Sequence, residues 1–217
     1  MFTTVGLIFE TAGLVAFATS GALLAAERRM DIIGMIALAV VTGTGGGMAR
    51  DVLMGATPVA ALQSWWMLLV AAGTGLLVFA LYRIVHRLHR AMLVFDSIGL
   101  GIFVVNGTMK ASLWGLDPIP ASLVGLLTGV GGGILRDLLA ADIPVVFRRD
   151  TTLYLTPAAL GAGLTALLFW LGWAFWWTTL IVMIAVVFVR FGSEVWGWRA
   201  PSLRTGAIEV IRRPEQQ

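Results

Sequence analysis

A ten-residue segment occurs twice in this chain, nearly unchanged: Thr42 to Asp51 reads TGTGGGMARD and Thr128 to Asp137 reads TGVGGGILRD. Each copy joins hydroxyls, a glycine triplet and an Arg-Asp dipeptide inside an otherwise apolar stretch. Oxygen is the ligand that such a segment offers. The carbonyls of Gly43, Gly45, Gly46 and Gly47 in the first copy, and of Gly129, Gly131, Gly132 and Gly133 in the second, would form a weak cation site with the hydroxyls of Thr42, Thr44 and Thr128. Each glycine costs a helix interior about 1 kcal/mol relative to alanine, so a triplet weakens its helix by about 3 kcal/mol and predicts a kink or break. Carbonyls freed in hydrocarbon persist only where protein covers them or water lines them. The expected occupant is a transient monovalent cation near Gly45 and Gly131, with no structural metal. Close helix crossing is the other use of such glycines, and one segment by itself leaves both readings open.

The charges form a second constellation: Glu10, Arg50, Asp51, Asp96, Arg136 and Asp137. A charge within a membrane is costly and pairs with another or lines a wet path. Side chains adjacent on a helix point about 100° apart, which predicts that neither Arg-Asp dipeptide closes on itself. Partners must then come from other helices. Glu10 stands level with Arg50, and Asp96 with Arg136, so these are the expected pairs; Asp51 and Asp137 are left for neighbouring backbone, water or ions. A network that only clamps the bundle is the alternative. Lys110, the sole lysine, follows Asn106 and Thr108, while Thr19 and Ser20 form the matching polar face elsewhere. It either snorkels to the interface or stands beside the path as a gating or cation-repelling charge.

Other chemistries are excluded by what is missing. Cysteine is absent, which removes disulfides and thiolates, and the two histidines, His86 and His89, sit in the basic linker YRIVHRLHR. No nucleophile, base and orienting acid converge within the apolar segments, so the chain does not read as an enzyme. A phosphate-cradling loop fails on spacing: Met48 and Ile134 stand where G-x-G-x-x-G wants its last glycine, and no Walker lysine follows. Nucleotide and nucleic-acid partners are therefore not expected. The pI of about 10.2 reports membrane orientation instead.

These residues must be positioned by membrane helices. Hydrophobic residues make up 59% and charged residues 12% of the 217 positions, and mean hydropathy is +0.90, which defines an integral membrane protein with lipid as its partner. Apolar runs predict an all-α protein of seven spans, near 4–26, 32–56, 64–84, 92–111, 119–141, 152–171 and 174–191. Sorted by side, Arg28, Arg29, Arg83, Arg87, Arg90, Arg148, Arg149, Arg190, Arg199, Arg204, Arg212 and Arg213 share one face, and Lys110 alone takes the other. The positive-inside rule puts the N-terminus outside and the C-terminus in the cytoplasm. Seven tryptophans, Trp65, Trp66, Trp114, Trp170, Trp173, Trp176 and Trp177, fall near the expected outer ends as an aromatic belt.

The ten-residue match extends without a gap at an offset of 86, pairing Phe9 with Phe95, Glu10 with Asp96, Phe17 with Phe103, Gly21 with Gly107 and Pro58 with Pro144. Each copy holds three spans, so the second is inserted upside down. The result is a 3+3 inverted repeat with its site expected where the copies meet. One transmembrane domain, 1–191, would comprise repeat one at about 4–84, repeat two at about 90–171 and a seventh helix at 174–191. That last helix offers no polar face over Trp176 to Val189 and is expected to face lipid or another subunit. Residues 192–217 form a short cytoplasmic tail.

Two glycine triplets, each followed by Arg-Asp in a seven-span 3+3 chain, make the sequence resemble the prokaryotic branch of the TRIC family, the trimeric intracellular cation channels, also labelled a glycine-transporter domain. The resemblance covers about residues 5 to 191. It implies a homotrimer with a pore in every protomer, second and fifth helices kinked at Gly45 to Gly47 and Gly131 to Gly133, and permeation by potassium and other monovalent cations without a cofactor. It implies residence in the cell (inner) membrane of a bacterium. The lysine motif through which animal members contact phosphoinositide is replaced here by glycine and threonine, so regulation of that kind is not expected. A secondary transporter of a small zwitterion such as glycine is the competing function, since an inverted repeat also serves alternating access.

Overall fold

The computed structural model describes residues 2–84, 88–148 and 152–198. His86, Arg87, Arg149 and the arginines of the tail from Arg199 onward lie outside the described residues. Eight α-helices follow in order: α1 (Phe2–Glu27), α2 (Ile32–Leu53), α3 (Ala60–Gln63), α4 (Trp65–Leu81), α5 (Leu88–Leu113), α6 (Pro118–Leu139), α7 (Leu155–Trp170) and α8 (Trp176–Trp196). Local chemistry sets several boundaries. The Asp31 carboxylate caps α2 by accepting from the Gly34 amide at 2.7 Å, and α6 opens on Pro118, whose missing N–H costs nothing in a first turn. After α2 the chain turns at Gly55, and after α6 at Ala141, both with positive φ, at 69° and 56°.

By length and composition α1, α2, α5, α6 and α8 can cross a membrane, as can α4 together with the 3-10 turn that ends at Ile84. α7 has 16 residues, about 24 Å at 1.5 Å per residue, short of the roughly 30 Å hydrocarbon core. It starts three residues later than the expected 152, after a segment in which the Leu153 amide bonds the Trp198 carbonyl at 2.9 Å. α8 runs past its expected end at 191 to Trp196. Its polar residues do not mark a helix end: Arg190 and Ser193 are buried.

The repeat is visible in packing. α2 and α6 cross where a Cβ on Gly46 would strike the Thr128 carbonyl oxygen, while one on Gly132 would sit 2.5 Å from the Thr42 carbonyl oxygen. Gly46 thus meets position 128 and Gly132 meets position 42, so the two helices cross antiparallel. Phe17 and Phe103, mates at the offset of 86, stack beside the crossing with centroids 5.3 Å apart and planes at 12°. The core is built around this axis from Leu14, Phe17, Leu38, Leu100, Phe103, Val104 and Val130.

One expectation is corrected here. Of the kink or break expected at the glycine triplets, the break is absent: both helices run through them without interruption. The cost of the glycines is offset by the close approach they allow, since Gly46 and Gly132 bring two backbones together where any side chain would hold them apart.

Candidate functional site

Each repeat carries one polar cluster at the far end of its glycine helix, and the antiparallel crossing puts the two clusters at opposite ends of the bundle. In the first, Arg50 is fully buried. Its Nη2 donates to Glu10 Oε1 at 2.9 Å and its Nε to Asp51 Oδ1 at 2.9 Å. Asp51 also accepts from the Ala60 amide through Oδ2 at 2.9 Å and from Lys110 Nζ through Oδ1 at 3.3 Å. In the second, Arg136 Nη1 donates to Asp96 Oδ1 at 2.6 Å and its Nε to Asp137 Oδ1 at 2.9 Å. Asp137 Oδ2 accepts from the Val145 amide at 2.9 Å.

Both predicted pairs, Glu10 with Arg50 and Asp96 with Arg136, are therefore formed, and both aspartates use backbone amides as expected. The prediction that the Arg-Asp dipeptides stay open is corrected, because each closes through Nε. The 100° separation governs Cβ directions. An arginine stem of four torsions swings its guanidinium back over the neighbouring carboxylate while the far nitrogen still reaches another helix.

The two clusters are not identical. Arg136 Nη1 also donates to Ser20 Oγ at 2.6 Å. Asn106, the repeat mate of Ser20, does not reach Arg50, and among the described residues Arg50 Nη1 is buried without a hydrogen-bond partner. A cavity of about 20 Å³ beside Arg50 is lined by Glu10, Thr44, Gly47 and Asp51, room for one water molecule. Asn106 instead lines a cavity of about 290 Å³ with Glu10 and Lys110. Lys110 is about one-third exposed while its ammonium reaches inward to Asp51; it does more than snorkel.

The hydroxyls of Thr42, Thr44 and Thr128 donate to carbonyls four residues back, those of Leu38, Val40 and Val124, at 2.6, 2.7 and 2.6 Å. A hydroxyl that donates this way still has lone pairs for a cation. Gly43 and Gly129 pack under α1 and α5, where an added Cβ would lie 3.0 Å from the Leu14 carbonyl oxygen and 3.2 Å from that of Leu100. Gly45 lies beneath Leu135, Gly131 sits 3.4 Å from the Gly46 Cα, and Gly133 faces the Tyr154 hydroxyl, each measured from an added Cβ.

Sequence reasoning missed a further charged centre. Arg190 on α8 is fully buried, with Nη1 at 2.5 Å from Glu194 Oε1 and 2.9 Å from Thr152 Oγ1, and its guanidinium carbon 4.6 Å from the Tyr154 ring centroid. α8 therefore carries a buried polar end at Arg190 and Ser193, just past the Trp176 to Val189 stretch that offers no polar face. The signal was present: Val182, Val186, Arg190 and Ser193 recur at helical spacing and are buried together. Near this end a cavity of about 360 Å³ is lined by Leu24, Glu27, Arg28, Arg136, Asp137 and Asp142 among others.

A family model described as "Glycine transporter" matches this chain twice, over residues 7–83 and 93–171, once per repeat. The crystal structure of the TRIC trimeric intracellular cation channel orthologue from Rhodobacter sphaeroides is similar with a TM-score of 0.85 and 36% identity, over 89% of this chain and 99% of that one. A UPF0126 membrane protein of Deinococcus radiodurans is 44% identical over 156 residues, 72% of this chain and 73% of its own. The UPF0126 inner membrane protein YadS of Escherichia coli K12 is 42% identical over 153 residues, 70% of this chain and 73% of its own. The class is thus an all-helical, multi-pass membrane protein with a fold found in channels and not in enzymes. The chain belongs to the glycine-transporter (UPF0126) family, the prokaryotic branch of the TRIC proteins.

Proposed function

We propose that this protein is a potassium-permeable monovalent cation channel with a path inside each protomer between α2 and α6. The observation that carries this reading is the pair of buried polar clusters on either side of one small-residue crossing, each approached by a cavity from its own end. Likeness to the Rhodobacter sphaeroides cation channel supports it. Gly46, Gly132 and the stacked Phe17 and Phe103 pack the centre, so conduction requires α2 and α6 to bend apart there, and the glycine triplets are the weakest points of both helices. Threonine hydroxyls and glycine carbonyls then give a partly dehydrated cation weak oxygen ligands near Gly45 and Gly131.

α7 completes seven crossings, its short length met by local thinning of the bilayer. A homotrimer in the cell membrane, N-terminus outside and C-terminus in the cytoplasm, is the matching assembly and orientation; the trimeric solved relative and the one-sided arginines support these. The second reading is a transporter for a small zwitterion. Its support is the family description together with the mixed charges of Arg136 and Asp137 on one cavity wall. Purified protein in planar bilayers under a potassium gradient separates the two. Discrete current steps that reverse towards the potassium potential support the channel; silence with saturable counterflow of labelled glycine overturns it.

A further inference from the structure

Glu10 and Lys110 belong to the polar cluster around Arg50, and both also line a second space. A cavity of about 290 Å³ lies between α1, α5 and α8, with Glu10, Asn106 and Lys110 as its polar groups and Phe9, Met109 and Trp176 among its apolar walls. These polar groups have bonding capacity left. Glu10 gives Oε1 to Arg50, and among the described residues its second oxygen accepts nothing. Lys110 makes one contact, to Asp51, while an ammonium has three N–H donors. The Asn106 amide bonds no other described residue. Leu7 joins this cavity to an apolar groove of about 610 Å³ that runs along α1 past Ile8, Ala12 and Val15 and is bounded by Phe95 and Ile98 on α5. The Thr11 hydroxyl in this groove is already spent on the Leu7 carbonyl at 2.8 Å. We propose that the two spaces together bind one molecule of phosphatidylethanolamine, with its phosphate on Lys110, its ammonium on Glu10 and Asn106, and one acyl chain in the groove along α1.

Charge, depth and length select this occupant. At this end of the bundle the described basic side chains are Arg50, which is fully buried, and Lys110, so Lys110 is where a lipid phosphate meets positive charge. The carboxylates of Glu10 and Asp51 balance Arg50 and Lys110, which makes the site neutral and suits a neutral headgroup. Phosphatidylglycerol would add an unbalanced negative charge. Phosphatidylcholine is neutral, but its quaternary ammonium has no N–H to donate to Glu10. Trp176, exposed at the rim, is a residue type that settles between headgroups and acyl chains. From Leu7 to Ala16 the groove follows α1 for about 14 Å at 1.5 Å per residue, close to half of a hydrocarbon core of roughly 30 Å, the depth of one leaflet. A water-soluble compound would have no use for that length of apolar wall. The site requires only that the chain sit in a bilayer, and does not depend on whether the path between α2 and α6 conducts.

Native mass spectrometry of the delipidated full chain tests this, with an equimolar mixture of phosphatidylethanolamine, phosphatidylcholine and phosphatidylglycerol that share the same acyl chains. The expected result is retention of one phosphatidylethanolamine per protomer in preference to the other two lipids. Lys110→Gln lowers that affinity by about tenfold, the loss of one charge-assisted hydrogen bond. Ala12→Phe, which fills the groove from an exposed position, lowers it as well. Glycerophosphoethanolamine, the same headgroup without acyl chains, binds far more weakly. Equal retention of the three lipids by the wild type overturns the proposal without need of any variant, as does undiminished affinity in folded Lys110→Gln. Glycerophosphoethanolamine bound as tightly as the lipid assigns the cavity to a soluble compound and overturns the lipid. The chain has no cysteine, so disulfide cross-linking between copies carrying Ala12→Cys would place a second copy in the groove, and that result overturns the proposal too.

Discussion

Gly46→Ala is the sharpest probe of the α2–α6 crossing. The new methyl group would strike the Thr128 carbonyl oxygen, a backbone atom held within α6 that no rotamer change can move. Overpacking of this kind costs about 1–3 kcal/mol, and replacing a glycine within a helix returns at most about 1 kcal/mol. Because a backbone atom blocks the new methyl, the cost lies in the upper part of that range and the net is a loss of about 1–2 kcal/mol, which for a chain of this size lowers the melting temperature by about 2–8 °C. Gly73→Ala on α4 is the internal control: it has the same propensity gain, no atom within 4 Å of the added Cβ, and an exposed position. Intrinsic fluorescence of the nine tryptophans reports unfolding of the detergent-solubilised protein, with all variants heated at one scan rate because membrane-protein unfolding is often irreversible. Gly132→Ala should match Gly46→Ala, since its Cβ meets the Thr42 carbonyl oxygen at 2.5 Å. If Gly46→Ala and Gly73→Ala move the melting temperature alike, the close-approach argument is wrong.

Asp96→Asn removes a buried carboxylate from Arg136, both about 1% exposed, and should cost about 3–5 kcal/mol in chemical unfolding; Glu10→Gln should cost less, because Glu10 is 17% exposed. Charge reversal checks the partner assignment: Glu10→Arg with Arg50→Glu should recover part of the stability that either change loses alone, and no recovery would break the pair. Ala141→Gly should stabilise by about 1 kcal/mol, since a non-glycine residue in the left-handed region is strained and its repeat mate Gly55 already has the favoured residue in the same turn; an unchanged melting temperature would count against the shared turn. Glu194→Gln should destabilise by about 3 kcal/mol by leaving buried Arg190 without its carboxylate, and adding Arg190→Met should restore much of that loss.

Much of the site was legible because duplication gives every residue a second reading. The level of Glu10 relative to Arg50, checked against Asp96 and Arg136, was enough to assign both pairs, since helix rise converts sequence position into depth. The Arg-Asp closures were not legible: helical phase predicts where a Cβ points but not where the end of a long side chain settles. Arg190 was misread because an arginine after an apolar run normally marks a membrane boundary, whereas here it turns inward onto Tyr154 and Glu194. The glycine triplets were recognised as special, but propensity alone predicted a kink or break and left out the packing partner beside which the helices run without a break.

Sequence by itself determined the membrane class, the order of the apolar segments, the internal repeat and which charges stand at the same depth, because each of these depends on composition, spacing or offset along one chain. Only the tertiary structure decided that Gly46 and Gly132 face carbonyls across the crossing, that Lys110 reaches Asp51 while Leu24 lines a cavity beside Asp137, and that α8 contributes a buried arginine. Those facts depend on which face of each helix meets which neighbour. That choice is made by the packing of all the helices together, where a fraction of an ångström separates contact from collision.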